Sequence, residues 1–330
     1  MTQRVAAIDC GTNSIRLLIA DIDPKPTDDP KRSRGSLDRS GQPASPLTDL
    51  VRAMRIVRLG EGVDRTGRLS QAALDRTIGA LREYAELIAE AKPEAIRMVA
   101  TSATRDAANS QEFTDRVVEV LGVAPEVISG DEEAWLSFTG ATRELAADET
   151  TPPYLVTDIG GGSTEFILGG PEGVAAERSV NIGCVRLTER HLHADPPLRQ
   201  EVADSTGDID DTLDLVAAAV QPEKARTFVG LAGSVTTVAA ISLGLGSYDA
   251  ARIHHSRIGA ARVHEISGEL LAMTRAERAA IPGMHPGRVD VIGAGALILD
   301  RIMTRFGFAE VLVSEHDILD GIAWSVVSRP

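Results

Sequence analysis

Two cysteines, Cys10 and Cys184, are all that the 330 residues contain. That number cannot build a disulfide framework, and the expected setting is a reducing cytoplasm. Aromatic residues are scarce at 3%, too few for a platform on which nucleic-acid bases stack. Positive charge is also in deficit: 34 lysines and arginines face 48 aspartates and glutamates, a net charge of −14. Broad nucleic-acid binding needs a basic face, so no nucleic-acid partner is expected. No apolar run approaches the roughly 18 residues of a membrane span, so no membrane partner is expected either. No charged-apolar-small leader is expected, since Met1 runs directly into a strand pattern. The remaining chain is 43% hydrophobic and long enough for two domains, each with its own core.

Glycine, by contrast, is concentrated where it can do chemistry. Residues 158–166 read DIGGGSTEF, entered by the apolar run 154–157 and left by 166–168, which is the pattern of strand, tight turn and returning strand. Gly160, Gly161 and Gly162 remove every Cβ that would keep an anion from the backbone N–H groups, and Ser163 and Thr164 add hydroxyls. Asp158 and Glu165 bracket the turn, and hard carboxylate oxygens suit Mg2+ with water and phosphate completing its shell. Taken alone, the stretch is equally readable as an ordinary glycine-rich hairpin. The N-terminus carries the pattern again. Over residues 5–20, Asp9 aligns with Asp158, Gly11 with Gly160 and Ser14 with Ser163, with Thr12 and Asn13 between. One copy in each of two similar halves is expected. Two such hairpins face to face make a two-sided phosphate clamp in the cleft where the halves meet.

The rest of the chain supplies scaffolding and a few candidates. Residues 23–49 are rich in Pro, Ser, Asp, Arg and Lys and read as a disordered or extended loop joining two strands. Lys31, Arg32 and Arg34 there are either solvated or in contact with an anion. A strand is expected at 54–59, and an amphipathic helix over 70–91 with Ser70 as N-cap. The strand at 95–100 turns into a helix at Arg105, which either grips a phosphate or pairs on the surface with Asp106 or Asp115. Asp131, Glu132 and Glu133 open a helix after Gly130, where acidic residues commonly offset the dipole. Residues 227–234 form a strand and a glycine turn ending in Gly233 and Ser234. The basic tract 252–257 is a path for a polyanion or a plain loop. Residues 293–296 (GAGA) signify close helix packing, because no strand leads into them in dinucleotide-fingerprint order. No His–Cys or His–carboxylate spacing suggests zinc.

Residues 9–14 (DCGTNS) and 158–165 resemble the two phosphate motifs of the acetate kinase/sugar kinase/Hsp70/actin superfamily. Within it, residues 100–105 (ATSATR), 128–134 (ISGDEEA) and 230–234 (GLAGS) resemble the exopolyphosphatase/guanosine pentaphosphate phosphatase family. The likeness runs over nearly the whole length and is to the short two-domain form found in actinobacterial exopolyphosphatases. It implies an α/β fold of two ribonuclease-H-like domains with an interdomain cleft. Domain I is expected at 1–135, with a C-terminal helix at 317–330 packing back on it, and domain II at 136–316. The implied activity is Mg2+-dependent hydrolysis of the terminal phosphate of inorganic polyphosphate, with Glu133 as the catalytic glutamate that activates water. Arg105 neutralises the transferring phosphoryl group. Phosphate-binding positions are Gly11, Thr12, Asn13, Ser14, Gly160, Gly161, Gly162, Ser163, Thr164, Gly233 and Ser234; metal positions are Asp9, Asp158 and Glu165. Relatives suggest a homodimer. Larger relatives carry further C-terminal domains that help to hold long chains, so short or medium polyphosphate is the expected substrate. A guanosine pentaphosphate (pppGpp) 5′-phosphohydrolase shares every motif and is the alternative. A kinase of the same superfamily and a non-catalytic polyphosphate or alarmone sensor are the others. With a net charge of −14, a polyanion must be held by local cations against the average field.

Overall fold

The computed structural model describes residues 2–23, 46–143, 145 and 150–328. The basic residues expected in the 23–49 loop, and residues 146–149 before the second hairpin, lie outside them. Among the described residues two mixed sheets carry the fold. The first is built from β1 (Gln3–Cys10), β2 (Ser14–Ile22), β3 (Leu47–Ile56), β4 (Ala95–Ala100) and β5 (Glu126–Val127), in the order β3-β2-β1-β4-β5. The second uses β6 (Tyr154–Ile159), β7 (Thr164–Gly170), β8 (Gly173–Val180), β9 (Thr227–Leu231), β10 (Arg257–Gly259) and β11 (Glu310–Val313), in the order β10-β11-β9-β6-β7-β8. Without the edge strand β10 the two orders coincide. β6, β7, β8, β9 and β11 take the places of β1 to β5, two antiparallel pairings on one side and parallel pairings on the other. This is the expected α/β architecture, a ribonuclease-H-like sheet twice over.

Strand alternation decides what each face carries. In β1, Ala6, Ile8 and Cys10 join Leu17, Leu74 and Leu81 in a core beneath helix Gln71–Ala91. Val5 and Ala7 point the other way, into a cluster with Leu136 and with Ile318, Leu319, Ile322 and Trp324 of helix Ile318–Ser328. Asp9, two residues beyond Ala7, falls on that second face. In β6, Leu155 and Ile159 enter the large core of the second half, whereas Tyr154 and Val156 pack on Ala134, Phe138 and Ala141. Asp158 falls on the same side as Val156. Both aspartates therefore face helix Gly130–Thr142, which touches both sheets.

Two glycines fix that helix against the C-terminal one. A Cβ added at Gly140 would stand 1.9 Å from the Asp317 carbonyl oxygen, and one at Gly321 would stand 2.0 Å from that of Leu136. The helices cross backbone to backbone, which brings Asp317 to the edge of the cleft. The strand expected at 54–59 ends at Ile56 instead. The N–H groups of Val57 and Arg58 leave the sheet to donate to the Asn13 carbonyl, at 3.0 and 2.9 Å. The closing helix follows Asp317, whose carboxylate accepts from the Leu319 N–H at 3.0 Å, an N-capping bond. Gly140→Ala or Gly321→Ala should force these helices apart and destabilise the fold by about 1–3 kcal/mol or more. A urea titration followed by circular dichroism measures it, and an open helix position such as Gly207→Ala should instead hold or raise the midpoint.

Candidate active site

The two glycine turns meet across a cleft of about 620 Å³. They are built alike: the Gly11 N–H donates to the Ser14 carbonyl at 3.0 Å, and the Gly160 N–H to the Ser163 carbonyl at 3.0 Å. Their contact admits no side chain at Gly162, where a Cβ would lie 2.6 Å from the Ser102 hydroxyl and 2.7 Å from that of Thr12. Those two hydroxyls are themselves 2.9 Å apart. Asp9, Gly11, Thr12, Asn13 and Ser14 line one wall, and Asp158, Gly160, Gly161 and Ser163 the other; Glu133, Gly233 and Ser234 also reach the cavity.

Four expected residues stand behind this lining. Gly162 is at the hinge of the two turns. The Thr164 hydroxyl donates to the Ile182 carbonyl. Glu165 is buried and accepts from the Ser179 hydroxyl at 2.8 Å. Arg105 donates to Glu133 Oε2 at 3.1 Å and to the Ile128 carbonyl at 2.9 Å, so it acts on the cleft through Glu133. The basic tract at 252–257 lies away from the lining, with Arg257 exposed and paired with Glu310. Gly295 of the GAGA stretch packs closely on Ser234, as its packing role requires.

The hairpins differ in charge at the cross-strand pair that includes each aspartate. Arg16 stands opposite Asp9, whereas Glu165 stands opposite Asp158. The Arg16 guanidinium bridges Asp9 Oδ2, at 2.7 Å, and the Asp317 carboxylate. Asp158 has no such cation; its Oδ2 accepts from the Ser137 hydroxyl at 2.9 Å. Sequence reasoning passed over Arg16 and Asp317. The signal available for Arg16 was one charge inside the otherwise apolar run 15–20; for Asp317 there was none, because its partner lies 301 residues away. Arg288 was also missed. It lines the cleft, and a Cβ at Gly233 would collide with its guanidinium at 1.7 Å.

A family model described as the Ppx/GppA phosphatase family matches residues 38–329. The chain belongs to the Ppx/GppA phosphatase family. It is 48% identical over 332 residues to Exopolyphosphatase 2 of Mycobacterium tuberculosis strain H37Rv, covering 98% of each chain. The crystal structure of an exopolyphosphatase-like protein superposes with a TM-score of 0.90 at 40% identity and covers 99% of both chains. The Aquifex aeolicus PPX-GPPA enzyme gives a TM-score of 0.77 at 31% identity, over 98% of this chain and 100% of the other.

In this Ppx/GppA phosphatase the cleft carboxylates hold protons tightly. Burial, then the charge of Glu165, pushes Glu133 well above the usual glutamate range, against the pull of Arg105. Burial, then Glu165 and Asp317, pushes Asp158 up to about 8. Burial raises Asp9 too, partly offset by Arg16. Asp9 Oδ1 and Asn13 Oδ1 are buried without a hydrogen-bond partner. Crowded hard acceptors of this kind fit a divalent cation such as Mg2+. Among the described residues no three His, Cys, Asp or Glu side chains could hold an ion together, so water and substrate oxygens would complete its shell. A carboxyl raised in the folded chain stabilises the fold while protonated. For Asp158 that contribution is complete below its ordinary 3.8 and is withdrawn as pH rises to about 8. Chelator-treated protein should therefore lose thermal stability as pH rises from about 4 to about 8, and Asp158→Asn should flatten the slope; parallel melting curves for the two proteins would remove the assignment.

Proposed function

We propose that the protein is an exopolyphosphatase that releases orthophosphate from the end of inorganic polyphosphate. The observation that carries this reading is Glu133. It is 7% exposed, opens into the cleft between two phosphate-type turns, and is held by Arg105. The extent of identity to a mycobacterial exopolyphosphatase supports it. The turn N–H groups and the Thr12, Ser14 and Ser163 hydroxyls bind the terminal phosphates. Glu133 takes the proton of a water, and that water's oxygen forms a bond to the terminal phosphorus. The bridging P–O bond breaks, and its electron pair stays on the shortened chain. The pKa of Glu133, raised by burial and by Glu165, makes it a stronger base than an exposed glutamate once a divalent cation's charge favours its ionised form. Asp158 with Asp9 would hold Mg2+, and Glu165 adds negative charge from behind. When bound, the ion neutralises the phosphoryl oxygens. Both cysteines are free, buried thiols whose pKa burial raises; this supports a cytoplasmic setting without a thiol nucleophile.

A second substrate, pppGpp, is favoured by the shape of the cavity, which continues past the turns to Ser247, Tyr248, Gly283 and His285. On that reading the nucleoside would lie against these residues. Phosphate release from polyphosphate, pppGpp and ATP, each with and without Mg2+, separates the readings. Polyphosphate should be the best substrate, and binding without hydrolysis would make the protein a sensor. Glu133→Gln should lower turnover roughly a hundredfold or more with substrate binding retained; normal turnover would remove Glu133 from the mechanism. Adding Mg2+ to metal-free protein at neutral pH should release protons as the cation displaces them from the carboxylates. Calorimetry in two buffers of different ionisation enthalpy reads that release.

A further inference from the structure

Arg186 lies outside the chemistry described so far, yet it touches three separate parts of it. It sits in helix Cys184–His191, which begins beside the second glycine turn. Its Nε donates to the Gly162 carbonyl at 2.8 Å. Its two terminal nitrogens reach into the first half, Nη1 to Asp64 Oδ1 at 2.5 Å and Nη2 to Asp106 Oδ2 at 2.6 Å. The Arg186 side chain is only 12% exposed, although its carboxylate partners Asp64 and Asp106 are 26% and 33% exposed. Asp106 ends helix Ser102–Asp106, which also carries Ser102, in contact with Thr12, and Arg105, in contact with Glu133. The neighbouring Glu189 receives the Gly62 N–H at 3.1 Å on both carboxylate oxygens, so the same helix is tied down next to Asp64.

We propose that Arg186 is a positioning residue that couples the seating of the second glycine turn to the alignment of Glu133. One planar fork holds the turn's carbonyl and the helix that steers the catalytic carboxylate. Asp64 and Asp106 belong to the first half and Gly162 to the second, so the fork spans both. The inference rests on the phosphate-hydrolysis reading above. It goes further by assigning the closed cleft a specific latch, placed so that the two turns and the general base come into register together.

The test is steady-state orthophosphate release from polyphosphate with Mg2+, on Arg186→Gln, Arg186→Lys, Asp106→Asn and the Arg186→Gln/Asp106→Asn pair. Melting temperatures are measured alongside. Misplacement of reacting groups by about 1 Å costs on the order of a hundredfold. Arg186→Gln should thus lower kcat by roughly tenfold to a hundredfold while KM moves less than about threefold. Lysine should restore only a fraction, because one ammonium cannot span both carboxylates and the carbonyl. The double variant should be no slower than Arg186→Gln, since both changes break one linkage. Unchanged kcat in folded Arg186→Gln, a loss confined to KM, or additive losses would overturn the proposal. If Arg186→Gln does not fold, Asp106→Asn carries the same test, because it leaves the bonds to Asp64 and Gly162 in place; unchanged kcat there overturns it equally. A wild type inactive on polyphosphate rejects the underlying reading, and the same variants are then compared on pppGpp. An active wild type matched by Arg186→Gln rejects the Arg186 inference alone.

Discussion

Like charges buried together govern this molecule. Asp9, Glu133 and Asp158 share one cleft with Asp317, and Glu165 stands behind them. Desolvation and mutual repulsion favour the neutral carboxyl over the carboxylate. Arg16 and Arg105 relieve only part of the excess, since one is shared by Asp9 and Asp317 and the other is committed to Glu133. A site arranged in this way retains protons when empty and attracts cations. It also resolves the difficulty of a chain with net charge −14 handling a polyanion. On the proposed reading no broad basic funnel is required, because the acidic floor recruits its own counter-charge.

Duplication supplies the symmetry, and the cross-strand partner of each aspartate breaks it. Both hairpins close with the same Gly-to-Ser backbone bond, and both present an aspartate from the central strand to the shared helix. Opposite the first aspartate is a guanidinium; opposite the second is another carboxylate. One wall thereby carries a partial counter-charge, and the other carries two carboxylates together. A clamp with two identical walls would bind phosphate without favouring either side, whereas unequal walls give the cleft a direction.

Much of this was legible in the residues. The hairpins declared themselves because glycine spacing, flanking apolar runs and the position of the aspartates are all local properties. Alternation along β1 and β6 then determines which way Asp9 and Asp158 face. Glu133 was different. Three acidic residues in a first helical turn have a sufficient explanation in the helix dipole, and only resemblance singled out the third. Arg16, Asp317, Arg186 and Arg288 were not legible, because their meaning depends on partners brought near by the meeting of the two halves. Arg105 was expected at the phosphate; its hydrogen bond goes to Glu133, and it does not line the cavity.

The backbone-to-backbone crossing at Gly140 and Gly321 has a consequence for how the enzyme is made. A chain emerging from the ribosome possesses both hairpins and Glu133 well before helix Ile318–Ser328 appears. Until that helix docks, Arg16 has no Asp317 to share, and the face of the first sheet holding Val5, Ala7 and Leu18 stays open. Biosynthesis thus delivers the two turns and Glu133 before the helix that covers this face of the first sheet.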